Sequence, residues 1–96
     1  DSSISTFRKV SQLKRELTVK VAALGRKRAN AEKLLDYLFS KPVVSAQEVE
    51  AAIEVTAPTA NSLLRDFQTL GILEEKTGQR RHRIFRFHAY LALFEQ

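Results

Sequence analysis

Apolar residues recur at helical spacing through the first quarter of the chain. Alternating steps of three and four join Phe7, Val10, Lys14, Leu17, Val21 and Leu24. This is the spacing of a heptad seam, interrupted once by the lysine. With no proline nearby, it predicts one helix from Ser3 to about Lys27, with Gly25 marking a break. Basic residues cover the other face, which is typical of a solvated linker or packing helix.

A second helical pattern runs from about Ala29 or Asn30 to Phe39. Its wide apolar stripe consists of Ala31, Leu34, Leu35, Leu38 and Phe39. Pro42 ends this helix because a proline disfavours helical geometry at the preceding residue and has no amide to donate. The valines Val43 and Val44 then predict a very short strand.

Two N-terminal caps predict two further helices. Ser45 and Glu48 have the spacing of a capping box, which starts a short helix from Ala46 to about Ile53. We expect three of its residues to face inward: Val49, Ala52 and Ile53. Thr56, followed by Pro58, starts a longer helix that ends at Leu70, before a left-handed Gly71.

The longer helix has two distinct faces. Its apolar face carries Ala60, Leu63, Leu64, Phe67 and Leu70. Its outer face carries Pro58, Thr59, Asn61, Ser62, Arg65, Asp66 and Thr69.

After Gly71 the period changes to that of strands. Ile72–Lys76 and Arg83–Phe87 flank a turn that Gly78 permits, which predicts a β-hairpin. Ala89–Phe94 closes the chain as an apolar tail, interpreted as a short helix. We expect the aromatic residues to pack in the core and at interfaces rather than to stack on nucleobases.

This order of elements predicts a mainly α fold with a small β-hairpin, a winged helix-turn-helix preceded by a long amphipathic helix. Residues 1–27 are interpreted as the basic amphipathic linker helix and residues 28–96 as the winged helix-turn-helix domain. In such a domain the helix after the turn enters the major groove of double-stranded DNA, and the hairpin, or wing, reaches a neighbouring phosphate or minor groove.

The residue types on these two elements suit DNA contacts. Arginine and asparagine pair with guanine and adenine, and threonine and serine bind phosphates. On the helix, the candidate DNA-binding residues are Thr59, Asn61, Ser62 and Arg65. On the wing, they are Arg80, Arg81 and Arg83.

Charge keeps a second interpretation open. The 96 residues carry a net charge of +5, but Lys41–Leu70 holds two basic and four acidic residues, a local charge of −2. Phosphate attraction supplies much of the affinity of DNA-binding proteins. The alternative is therefore a protein interaction or dimerisation module that regulates a parent enzyme without binding DNA.

Composition excludes several other classes of site. The chain has no Cys, so it holds no disulfide and no thiolate zinc site. His82 and His88 have no third ligand in view, and no catalytic grouping or phosphate loop occurs. We expect no metal, no cofactor, no membrane span, and a cytoplasmic protein that is not an enzyme. Because the chain starts with Asp and has no Met, we expect it to be part of a longer protein.

Several blocks of sequence resemble a known pattern. They are Leu34–Phe39, Pro42–Val44, Ala57–Asp66, Leu70–Leu73, Thr77–Phe85 and Tyr90–Leu91. Together they are similar to the C-terminal winged-helix domain of bacterial Fic (filamentation induced by cAMP) family proteins, over about Arg28 to Phe94. The preceding basic helix resembles the linker that follows the Fic core.

The resemblance implies a regulatory appendage of a larger protein that transfers AMP. The His-Pro-Phe-x-Asp-Gly-Asn-Gly-Arg loop of the Fic core is absent here, so no catalytic residue of that family applies to this chain. The implied partners are double-stranded DNA and the catalytic Fic core. A homodimer through the first helix and Tyr90–Phe94 is also expected, since both have apolar surfaces that need partners.

Overall fold

The helices and strands follow the order that the sequence predicts. A computed structural model describes residues 2–76 and 83–94. Over these residues the helices are α1 (Ser2–Ala22), α2 (Arg28–Ser40), α3 (Ala46–Ile53), α4 (Ala57–Thr69) and α5 (His88–Ala92). The strands are β1 (Val43–Ser45), β2 (Glu74–Glu75) and β3 (Ile84–Arg86). The mostly helical chain with its small antiparallel sheet is a winged helix-turn-helix fold, as predicted.

Both predicted N-caps are confirmed. The Ser45 hydroxyl accepts from the Glu48 amide at 3.1 Å, and the Glu48 carboxylate accepts from the Ser45 amide at 3.0 Å. At the start of α4, the Thr56 hydroxyl accepts from the Thr59 amide at 3.4 Å. Each cap satisfies amides that the first turn of a helix leaves without a partner, which fixes where α3 and α4 begin.

The first helix is shorter than predicted, ending at Ala22 rather than near Lys27. The amides of Ala23 and Leu24 bond three residues back, to the carbonyls of Lys20 and Val21, so the last turn tightens. Gly25 then takes a left-handed φ of +63°, a conformation that glycine adopts without steric cost. A 3₁₀ turn over Gly25–Lys27 leads into α2.

The three-stranded sheet has the order β1-β3-β2 and is antiparallel throughout. Val44 of β1 and Glu75 of β2 both pair with Phe85, on opposite sides of β3. Strand β2 is shorter than the predicted run from Ile72, because the amides of Ile72 and Leu73 bond to the Phe67 carbonyl. These amides close the end of α4 and are unavailable to the sheet. The predicted turn at Gly78 lies outside the described residues.

One apolar core joins α1, the helix-turn-helix and the sheet. Its buried residues include Leu17, Val21, Leu34, Leu38, Val49, Ile53, Leu63, Phe67, Ile72, Phe85 and Phe87. The predicted apolar faces of α2 and α4 are buried, apart from Phe39 and Leu70, which are half-buried. Ala52 is exposed, contrary to prediction, because Val49 and Ile53, four residues apart, define the buried stripe of the two-turn α3.

Aromatic packing closes the end of the domain beside α1. Phe39, Phe87 and Tyr90 lie with ring centroids 5.1 to 5.5 Å apart. Phe94 contacts Tyr90 at 5.1 Å but remains 52% exposed. The predicted packing of the aromatic residues is thus confirmed for this cluster, with Phe94 at its open edge.

The predicted seam of α1 is buried only in its second half. Leu17 and Val21 lie in the core, whereas Phe7 is 71% exposed. Lys14, which interrupts the seam, pairs with Asp36 at 3.3 Å and lies over the ring of Phe39. No helix among residues 2–76 and 83–94 has the length and hydropathy needed to cross a membrane.

Candidate nucleic-acid interface

Helix α4 is held in one orientation by its buried face. Ala60, Leu63, Leu64 and Phe67 are each at most 1% exposed. The preceding helix, α3, is capped at its C-terminal end by Glu54, which takes a left-handed φ of 55°. The Val55 amide bonds back to the Glu50 carbonyl, which closes the turn between the two helices. The opposite face of α4 therefore points away from the core.

Two exposed polar side chains of α4 have no competing partner among residues 2–76 and 83–94. Asn61 and Arg65 lie one turn apart and are both exposed. Neither side chain forms an ion pair or hydrogen bond with any residue in the described part of the chain. Their amide and guanidinium groups are therefore available to a ligand, and these are the groups that pair with adenine and guanine.

The edge of α4 that faces the 3₁₀ turn is engaged by Lys27. Its ammonium donates to the Ser62 hydroxyl at 2.6 Å and pairs with the Asp66 carboxylate at 2.8 Å. Lys27 therefore offsets the negative charge of Asp66 on the outer face of α4. Nearby, the Thr59 hydroxyl accepts from the Thr56 hydroxyl at 3.0 Å.

Lys27 changes the local charge balance inferred from the sequence, in which Lys41 is already counted. Of the four acidic residues between Lys41 and Leu70, Glu48 forms an ion pair with Lys41 and Asp66 pairs with Lys27. Lys27 lies outside that stretch of sequence but beside it in space. The surface around α4 is therefore less acidic than the local charge of −2 suggests.

In the wing, the described arginines are bound to glutamates of the neighbouring strand. Arg83 donates to the Glu75 carboxylate at 2.6 and 3.0 Å, and Arg86 pairs with Glu74 at 3.1 Å. The hydrogen bond to Glu75 raises the pKa of Arg83 above its usual value, against the desolvation that lowers it. Glutamates of the sheet therefore compensate part of the positive charge of both arginines.

The predicted site residues divide into three groups. Thr59, Asn61, Ser62 and Arg65 share the outer side of α4. Arg83 lies beside β3, bound to Glu75. Arg80 and Arg81 lie outside the described residues. Their roles in DNA binding stay predictions.

Sequence reasoning missed Lys27, which was interpreted as part of the linker helix. It lies 35 residues before Ser62, and no spacing rule links the two positions. The signal that the sequence does offer is Gly25, whose left-handed conformation redirects the chain and brings Lys27 over α4.

No group of three His, Asp or Glu side chains is close enough to hold a metal ion within residues 2–76 and 83–94. His88 lies at the start of α5, where its Nδ1 is buried. The arrangement offers hydrogen-bond donors and the Arg65 guanidinium on α4, with the Lys27 ammonium beside them.

Comparison with known proteins supports the helix-turn-helix assignment. A family model described as an HTH DNA binding domain matches residues 32–85, more than half of the chain. The match begins within α2 and ends in β3, so it spans the two helices, the turn between them and both wing strands. No curated protein matches the sequence. The match does not link the chain to the Fic family, so that resemblance stays a prediction.

Proposed function

Because the chain belongs to the family of HTH DNA binding domains, we propose that it binds double-stranded DNA with the outer face of α4 in the major groove. Arg65 would donate in bidentate fashion to guanine, and Asn61 would pair with adenine. Thr59 and Ser62 would bind phosphate oxygens and so fix the register of the helix on the duplex.

One observation carries this proposal. Asn61 and Arg65 are exposed polar side chains that form no bond with the described part of the chain, on a helix whose other face is buried. A rigid helix that presents such groups needs little reordering on binding, so little of the interaction free energy is lost. The chain itself would act by binding, and any group transfer would belong to a catalytic domain of the parent protein.

The wing would supply phosphate contacts through Arg80, Arg81 and Arg83. Arg83 already binds Glu75, so a contact with DNA would share or replace that ion pair. We therefore assign the larger contribution to α4 and a smaller one to Arg83.

The test is a fluorescence anisotropy titration with a labelled random-sequence duplex at about 50 and 200 mM salt. We expect micromolar or tighter binding that weakens as salt rises. The slope of log affinity against log salt concentration should be roughly one unit for each phosphate contacted. Asn61→Ala and Arg65→Ala should weaken binding, and Arg8→Ala on α1 is the matched control. Absence of binding at 50 mM salt would contradict the proposal.

The resemblance to Fic proteins supports a finer proposal, that the module regulates a larger AMP-transferring protein. The support is the sequence pattern alone. The parent protein, incubated with labelled ATP, should transfer labelled AMP to a protein hydroxyl, and duplex DNA should change that rate. A parent without the Fic loop would contradict this proposal while leaving DNA binding untouched.

A homodimer is the second proposal, carried by exposed apolar side chains on α1 and directly after α5. Ile4, Phe7 and Phe94 are 56%, 71% and 52% exposed. Sedimentation equilibrium should give a dimer whose dissociation constant rises in Phe7→Ser but not in Val19→Ser, an equally exposed residue of α1. A monomer at all concentrations would exclude this arrangement.

A further inference from the structure

A small cavity lies where the 3₁₀ turn and the start of α2 meet the first turns of α4. Its volume is about 270 Å³, and it is lined by Lys27, Asn30, Pro58, Thr59, Ser62 and Leu63. It adjoins the proposed DNA-binding face, because Thr59 and Ser62 belong to both. Two of its polar residues, Lys27 and Asn30, have no role in the DNA contacts proposed above.

The hydrogen bonds around this cavity leave it lined by donors. A lysine ammonium only donates, so the Ser62 oxygen must accept from Lys27, and the Ser62 hydrogen is left for another acceptor. Thr59 is in the same position, since its oxygen accepts from the Thr56 hydroxyl. Lys27 has a third N–H beyond those given to Ser62 and Asp66, and Asn30 adds an amide. Such a lining suits a ligand rich in acceptors.

Asp66 holds the lysine in place without occupying the cavity. Its carboxylate lies 2.8 Å from the Lys27 ammonium but does not line the cavity. No residue that lines the cavity is acidic, so the lining itself does not repel an anion. The Lys27 side chain is 45% exposed, so the ion pair with Asp66 does not bury it.

We propose that this cavity binds a phosphate of the DNA backbone, with Lys27 and the Ser62 and Thr59 hydroxyls donating to its oxygens. The inference rests on the proposed function, since it places the phosphate at the edge of the helix that enters the groove. It extends the interface beyond the helix-turn-helix to the turn that precedes α2. The same donors suit free inorganic phosphate, which the test separates from DNA.

The test compares Lys27→Gln with Lys33→Gln, a change at an exposed lysine of α2 away from the cavity. One lost phosphate contact should lower the salt slope by about one unit and the affinity by roughly eightfold at 0.1 M salt, for every sequence alike. Ser62→Ala should weaken binding in the same direction. Lys33→Gln should leave the affinity unchanged.

The role of Asp66 separates ligand binding from a purely structural ion pair. Asp66→Asn removes a negative charge near the phosphate and should tighten binding by about threefold. If the Lys27–Asp66 ion pair only held α4 in place, Asp66→Asn would bind DNA more weakly, which would overturn the proposal. The double variant Lys27→Gln with Asp66→Asn leaves no unpaired charge, and it should still bind more weakly than Asp66→Asn alone.

The outcomes distinguish this inference from the function on which it rests. No DNA binding by the unmodified chain overturns both. Normal binding by the unmodified chain with equal affinities for Lys27→Gln and Lys33→Gln overturns the phosphate site alone. If inorganic phosphate shifts the amide resonances of Thr59 and Ser62 while Lys27→Gln leaves DNA affinity unchanged, the ligand is free phosphate and the assignment to DNA is wrong.

Discussion

The outer face of α4 carries one arginine and the described part of the wing carries two, and these arginines differ in how available they are to a ligand. Arg65 on α4 is exposed and forms no ion pair with any described residue. Arg83 in the wing donates twice to Glu75 and lies over the ring of Phe85. For the described residues, a count of arginines therefore overstates the positive charge that the wing strands offer to a ligand relative to α4.

Local geometry produces this difference. On a helix, neighbours lie three and four residues apart, and for Arg65 the neighbours four residues away are Asn61 and Thr69, which carry no charge. In the hairpin, neighbours lie across the strands, and the register pairs Glu74 directly with Arg86. Among the described residues, arginine is thus without an ion pair on α4 and bound to glutamate in the wing strands.

The largest expected effect is on DNA affinity in Arg65→Ala. The loss of a bidentate contact to guanine should cost about 1–3 kcal/mol and relax base preference at one position. Anisotropy titrations at 0.1 M salt would measure it, with Arg8→Ala as the control. If Arg83→Ala lost more affinity than Arg65→Ala, the comparison between helix and wing would be reversed.

Gly71 connects α4 to the wing and has a left-handed φ of +78°, so the connection is sensitive to a side chain at this position. A Cβ there would meet no atom within 4 Å, so Gly71→Ala introduces conformational strain without a clash. We expect the free energy of unfolding to fall by about 1–2 kcal/mol. Urea denaturation would measure it. An unchanged midpoint would mean that the end of α4 adopts another conformation.

Removal of the cap of α4 should have a slightly smaller effect. Thr56→Ala leaves the Thr59 amide without its partner and should cost about 1 kcal/mol of stability. Thr56→Ser retains the hydroxyl and is the matched control in urea denaturation. Equal losses in the two variants would show that the hydroxyl does not cap the helix.

The smallest expected effect comes from releasing Arg83 from its ion pair with Glu75. Glu75→Gln removes the carboxylate that binds Arg83 and should tighten DNA binding by about threefold, with at most about 1 kcal/mol of lost stability. Titration with the random-sequence duplex would measure the change. Weaker binding in this variant would mean that Glu75 orients Arg83 for DNA rather than competing with it.

Local signals in the sequence were sufficient for most of the fold. The caps at Ser45 and Thr56 and the break before Pro42 depend on nearby residues, and the structure has each of them. The errors in the bounds of elements lie at the ends of helices, where the hydrogen bonds that close the helix decide where the next element begins. Strand β2 starts late because the Phe67 carbonyl takes the amides of Ile72 and Leu73.

The candidate site was less accessible to prediction. The outer face of α4 follows from helical periodicity, so Asn61 and Arg65 could be placed from sequence. The contact from Lys27 to Ser62 spans 35 residues and depends on how α1 and α2 are joined. The pairing of Arg83 with Glu75 likewise depends on a strand register that the hairpin sequence did not specify.

The most direct test of DNA binding through α4 is an amide NMR titration of the ¹⁵N-labelled chain with a short duplex. We predict that the largest shifts fall on α4, especially from Thr59 to Arg65, with smaller ones at Lys27 and Arg83. Shifts confined to the basic face of α1, or no shifts at low salt, would contradict the account.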